Sequence, residues 1–91
     1  MTFVPIKSHK DFKNGSLYRY VSDVSHLGLC IYSSLEDYDY YAMSSYCDIG
    51  QIFMVIDVAS SPTLPSKILT SDGVIGYASL FYKGCQKAIK Y

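Results

Sequence analysis

The sequence predicts an all-β domain, a small sandwich or barrel built from short strands joined by turns. Three observations carry this expectation. Short runs rich in aromatic and β-branched residues alternate with turn residues along the chain. One run, Gln51 to Val58, is almost continuously apolar at strand length. Asp72-Gly73 lies between two apolar runs, a strong hairpin signal because both residues accept positive φ. Closure of the sheet would remove the edges that an apolar strand such as Gln51 to Val58 otherwise exposes.

Residues 1–15 form a lead-in. Ser8-His9-Lys10-Asp11 sets an acid three residues after a serine, which predicts one helical turn over residues 8–13, ended by Asn14-Gly15. Ser16 to Val21 reads as the first core strand. Its alternation puts Tyr18 and Tyr20 on one face and Leu17, Arg19 and Val21 on the other, and leaves open which face is inward. Ser22 to His26 is a polar loop. Leu27 to Tyr32 is a second extended run, with Leu27, Leu29 and Ile31 on one face. Ser33 to Asp39 is polar and acidic and predicts a turn, with Tyr40 to Met43 returning as the partner strand. Gln51 to Val58 is expected to be central and covered on both faces. Ala59 to Ser66, holding Pro62 and Pro65, is a loop. Lys67 to Thr70 and Val74 to Ala78 form the hairpin around Ser71-Asp72-Gly73. Ser79 to Lys83 is too short for an α-helix and predicts a 3₁₀ turn. Cys85 to Ile89 alternates as a final strand. The count is five core strands with a hairpin inserted.

A chain of 91 residues has room for one domain, and with 49% apolar residues it is too hydrophobic to be disordered. Formal net charge is zero, which weakens a case for phosphate-driven nucleic-acid binding or a polybasic membrane anchor. No apolar stretch approaches the ~20 residues of a membrane-spanning helix. The N-terminal residues lack a signal-peptide pattern, so a reducing cytoplasm is expected. Cys30, Cys47 and Cys85 are odd in number and far apart, and are expected reduced and mostly buried. Ten tyrosines exceed what a small core absorbs, since each buried hydroxyl needs a partner, so several are expected at the surface.

The most distinctive segment is Leu35-Glu36-Asp37-Tyr38-Asp39-Tyr40-Tyr41, three acids and three tyrosines in seven residues. Tyrosine offers large contact area at low rotamer cost and can hydrogen-bond, so the segment suits an interface for a basic partner, offering negative charge in part as phosphate does. The alternative is a solvated hairpin whose rings cover the barrel. Tyr18, Tyr20, Tyr77 and Tyr82 form either an aromatic platform or part of the core. His9, His26 and the cysteines show no zinc spacing, so no metal or other cofactor is expected. No nucleophile elbow and no phosphate-binding glycine pattern is present, so the chain is not expected to be an enzyme. Lys7, Lys10 and Lys13 near one end and Lys83, Lys87 and Lys90 near the other would form one basic patch if the first and last strands pair. With surface tyrosines for stacking, such a patch would suit single-stranded nucleic acid.

The order of motifs resembles the SH3-like β-barrel family. Leu17-Tyr18-Arg19-Tyr20 is similar to the family's first-strand Ala-Leu-Tyr-Asp-Tyr motif, and Asp48-Ile49-Gly50-Gln51 to its Gly-Asp entry to the second strand. Residues 59–66 stand where the n-Src loop would be, and Asp72-Gly73 lies in the distal hairpin. Gly76, Ser79 and Tyr82 resemble its Gly…Pro-Ser-Asn-Tyr stretch. The resemblance implies a five-stranded barrel over residues 16–89 with an extended first loop carrying a hairpin. It implies groove tyrosines at Tyr18, Tyr20 and Tyr82 and an acidic loop at Glu36, Asp37 and Asp39. There is no Trp, and Ser79 replaces the groove proline, so ordinary proline-rich recognition does not carry over. The expectation is a divergent, small prokaryotic or phage-type accessory or inhibitor protein. It would dock on a larger protein through Tyr18, Tyr20, Glu36, Asp37, Tyr38, Asp39, Tyr40 and Tyr82. Single-stranded nucleic-acid binding is the alternative, and self-association through exposed tyrosines or a strand edge is a further expectation.

Overall fold

Alternating apolar and polar residues give the chain its strands. The structure is a computed structural model that describes residues 2–21 and 28–90. In chain order it contains β1 (Thr2–Pro5), a 3₁₀ turn (His9–Asp11), β2 (Leu17–Tyr20), β3 (Leu29–Ile31), α1 (Leu35–Asp39), β4 (Ser45–Cys47), β5 (Ile52–Asp57), β6 (Pro65–Thr70), β7 (Ile75–Ser79), a second 3₁₀ turn (Tyr82–Gly84) and β8 (Cys85–Lys90). The fold is mostly β, as expected, and no helix among the described residues is long and apolar enough to cross a membrane. The expected loop from Ser22 to His26, and Leu27, lie outside the described residues.

Among the described residues, six strands form one antiparallel sheet in the order β1-β8-β2-β5-β6-β7, and β3 and β4 form a separate hairpin. The five expected core strands are the contiguous run β8-β2-β5-β6-β7. The closed five-stranded barrel is corrected to an open sheet within an eight-stranded fold. Extra chain occupies both edges. The lead-in supplies β1, which pairs with β8 through Phe3↔Ala88 and Val4↔Lys87. At the far edge, the residue after β3 meets β7: Tyr32 donates its N–H to the Tyr77 carbonyl (2.8 Å), and Tyr77 donates back (2.7 Å).

One face of the sheet is dry. Tyr18, Tyr20, Phe53, Val55, Ile68, Ala78, Leu80 and Cys85 pack with Leu29, Ile31 and Cys47 of the hairpin and with Phe12. β5 is covered on one face rather than two: Phe53 and Val55 are buried, while Ile52, Met54 and Ile56 remain half-exposed. The predicted helical turn is present as His9–Asp11, where the Asp11 carboxylate accepts from the Lys7 and Ser8 amides (2.8 and 3.2 Å). Those amide bonds, that of Lys7 first, hold the Asp11 carboxyl below its ordinary pKa. Pro65 begins β6 rather than ending a loop, a position where a missing amide donor is tolerated.

The region between β3 and β5 differs most from expectation. Residues 35–39 are helical instead of a turn, and the partner strand of β3 is Ser45–Cys47 instead of Tyr40 to Met43. Ser34 explains the helix. Its side chain accepts from the Asp37 amide (3.1 Å), and Glu36 and Asp37 then sit in the first turn, where the helix dipole favours negative charge.

Candidate functional site

The acidic tyrosine segment is displayed by α1 and its C-terminal cap. The cap is a complete Schellman motif: Ala42 donates to the Asp37 carbonyl (2.8 Å) and Tyr41 to the Tyr38 carbonyl (3.2 Å). This geometry drives the residue after the cap into the left-handed region, where glycine is usual. Here Tyr41 occupies it at φ 57°, the one non-glycine residue with positive φ among those described. The conformation costs about 1–2 kcal/mol for a residue with a Cβ. The ring gains little burial in return: Tyr41 is 84% exposed and its neighbour Tyr40 76%.

Tyr38 behaves differently. Its hydroxyl bonds Ser79 Oγ (2.5 Å) and donates to the Thr63 carbonyl (3.3 Å), clasping α1 to the end of β7 and to the loop before β6. Its ring meets Tyr32 edge to face, with centroids 5.2 Å apart. Between α1 and the β3–β7 contact lies a cleft of about 170 Å³ lined by Leu29, Cys30, Tyr32, Tyr38, Tyr41 and Ser79. Burial, then the neighbouring Cys30, Tyr38 and Tyr41, hold the Tyr32 phenol above its ordinary pKa, so it stays protonated at neutral pH.

Glu36, Asp37, Tyr38, Asp39 and Tyr40 are therefore brought together on one helix and its cap. Tyr18 and Tyr20 are not part of any surface. Their expected outward orientation is corrected: they are 0% and 7% exposed, and Leu17 and Arg19 take the outer face of β2. The reason is hydroxyl satisfaction. Tyr18 Oη donates to the Asp11 carbonyl (2.9 Å) and accepts from the Lys13 amide (2.6 Å), so the ring enters the core without an orphaned polar group. Tyr82 lies on the second 3₁₀ turn, half-buried against the core and tilted against Phe81 (5.1 Å). Tyr32 and Cys30, which complete the cleft beside Tyr38 and Tyr41, escaped sequence reasoning.

Charge is segregated along the chain. Between Arg19 and Lys67 there is no Lys or Arg, while Asp23, Glu36, Asp37, Asp39, Asp48 and Asp57 make up six of the eight acids. β3, α1, β4 and β5 all belong to this anionic stretch. Elsewhere, the β1–β8 pairing sets Lys87 beside Val4, and Lys13 and Lys87, one from each end of the chain, both lie near enough to Asp11 to lower its carboxyl pKa. A separate apolar surface lies outside the sheet, where Leu17, Met54, Leu69 and Ile75 stand in register across β2, β5, β6 and β7.

The three thiols are distinct. Burial pushes Cys47 up to about 11 and Cys85 up to about 12, while Cys30 is half-exposed in the cleft wall. One equivalent of thiol is therefore expected to react promptly with iodoacetamide in the native protein at pH 8, and three in urea. Peptide mapping should place the label on Cys30, and rapid labelling of Cys47 or Cys85 would contradict their burial. No group of three or more His, Cys, Asp or Glu side chains among the described residues is arranged to hold a metal ion. No protein-family model, curated protein or solved structure matches the chain.

Proposed function

We propose that the chain is a non-enzymatic protein-binding module, an SH3-like domain that docks on a basic surface of a larger protein through α1 and its cap. The observation that carries this reading is the pair Tyr40 and Tyr41. Both are almost fully exposed, one is held in a strained conformation, and both adjoin Glu36, Asp37 and Asp39 on a stretch without a cation. Exposed rigid aromatics beside concentrated charge supply contact area and electrostatic steering together. The SH3-like assignment is supported by the meander β2-β5-β6-β7, by the return of β8 beside β2, and by the 3₁₀ turn preceding β8. The long first loop has become the β3–β4 hairpin, and Tyr38 fills the space between that loop and the next.

Two variants test the reading. In a pull-down, Glu36→Lys/Asp39→Lys is expected to lose the proteins captured by the wild type, and raised salt to weaken that capture. Capture of the same proteins by the variant would overturn the assignment of the face. Tyr41→Gly separates function from folding. It relieves the left-handed strain and is expected to raise unfolding free energy by about 0.5–1 kcal/mol while weakening capture.

A second reading, single-stranded nucleic-acid binding, is favoured by Lys13 and Lys87, one from each end of the chain, which both lie near Asp11. Titration with labelled single strands at low and physiological salt decides it, since phosphate contacts must weaken steeply with salt.

A further inference from the structure

We propose that the cleft between α1 and the β3–β7 contact is a socket for one arginine side chain of a docking partner. This deepens the docking reading and rests on it only for where that side chain comes from. Size comes first. A cleft of about 170 Å³ is smaller than the roughly 300–1,000 Å³ typical of small-molecule sites and suits a single side chain. Its walls then select charge. Tyr32 and Tyr38, packed edge to face at 71°, and Tyr41 make up three of its six lining residues, so a group seated in the cleft lies against tyrosine rings, whose π-systems attract cations. Glu36, Asp37 and Asp39 all lie on the adjoining helix, and among the described residues no Lys or Arg lines the cleft. An anion is repelled there, and a neutral side chain gains no ring–charge attraction. Guanidinium fits better than ammonium because it is planar, weakly hydrated and stacks on aromatic faces, and Ser79 Oγ and the tyrosine hydroxyls offer it acceptors.

Cys30 supplies the test, because its thiol lies in the cleft wall while Cys47 and Cys85 are buried. Iodoacetamide labelling of Cys30 is followed at fixed ionic strength with N-acetyl-arginine methylamide, its lysine counterpart, and the citrulline counterpart, a neutral isostere of the arginine compound. The expected result is saturable slowing of Cys30 labelling by the arginine compound, weaker slowing by the lysine compound and none by the citrulline compound. Amide NMR shifts should be confined to the cleft residues Leu29, Cys30, Tyr32, Tyr38, Tyr41 and Ser79. Tyr41→Ala, at an exposed position where folding is not at stake, is expected to weaken the arginine effect about 2- to 30-fold, the range of one cation–π contact. Equal protection by the citrulline compound, or shifts elsewhere on the surface, would overturn the socket. Its failure is separable from failure of the docking reading. If a basic partner is captured through α1 while Cys30 stays fully reactive in the complex, the socket is wrong and the docking face stands. If the arginine compound protects Cys30 but no basic protein is captured, the socket stands alone.

Discussion

Tyr18→Ala is expected to lower the unfolding free energy by about 4 kcal/mol or more. Removing a large aromatic from a packed core costs about 3–5 kcal/mol, and Tyr18 is fully buried between Phe12 and Phe53, with ring centroids 5.0 and 5.9 Å away. The substitution also takes the partner from the Asp11 carbonyl and the Lys13 amide, groups joined to the sheet by this one hydroxyl. A domain of this length has a total stability of roughly 5–14 kcal/mol, so the variant is brought close to the unfolding threshold. Urea denaturation measures the loss. Tyr18→Phe keeps the ring and removes only the hydroxyl, and is expected to cost about 1–3 kcal/mol through the two unmatched backbone groups. A loss below about 1 kcal/mol for Tyr18→Ala would mean that the ring is a surface group after all.

The same residue shows what the sequence could convey. Alternation in Leu17-Tyr18-Arg19-Tyr20 marks a strand and sorts its side chains into two sets, but period two carries no sign for inward. That choice is made by partners from the first 3₁₀ turn, and it depends on tertiary geometry. β5 to β8 were legible because their signals are local: an apolar run, an Asp-Gly turn, a short break before the last strand. β1 was not, because Phe3-Val4-Pro5 is short and carries a proline, which only an edge strand accepts. α1 was legible in principle. Ser34-Leu35-Glu36-Asp37 has the same serine-to-acid spacing as Ser8-His9-Lys10-Asp11, but the polarity of the segment equally predicts a turn. The strained Tyr41 had no local signal, since a Schellman cap is usually announced by glycine. So the acidic tyrosine segment could be singled out from sequence, whereas the cleft beside it, built by Cys30 and Tyr32 from β3 and its end and Ser79 from β7, could not.

Gly76→Ala is expected to detach the β3–β4 hairpin from the sheet, and with it the whole candidate site. A Cβ at Gly76 would lie 2.5 Å from Ile31 Cγ2 and 2.7 Å from the Tyr32 carbonyl oxygen. The methyl of Ile31 could move only by turning a fully buried, β-branched side chain. The carbonyl cannot move, because it is the acceptor in one of the two backbone bonds that Tyr32 and Tyr77 exchange. Overpacking of this kind costs about 1–3 kcal/mol. If the backbones separate to relieve it, both bonds are lost at about 0.5–1.5 kcal/mol each. The consequence is local before it is global. Hydrogen exchange at the Tyr32 and Tyr77 amides should accelerate strongly, while the Val55 amide, bonded to Ser16 between β2 and β5, keeps its protection. The Tyr38–Ser79 contact then loses its geometry, and Cys30 should label faster. Adding Ile31→Ala distinguishes the two obstacles. It removes the side-chain clash and leaves the carbonyl in place, so it should restore the contact only in part, and full restoration would show that β3 and β7 are held apart by packing rather than by backbone.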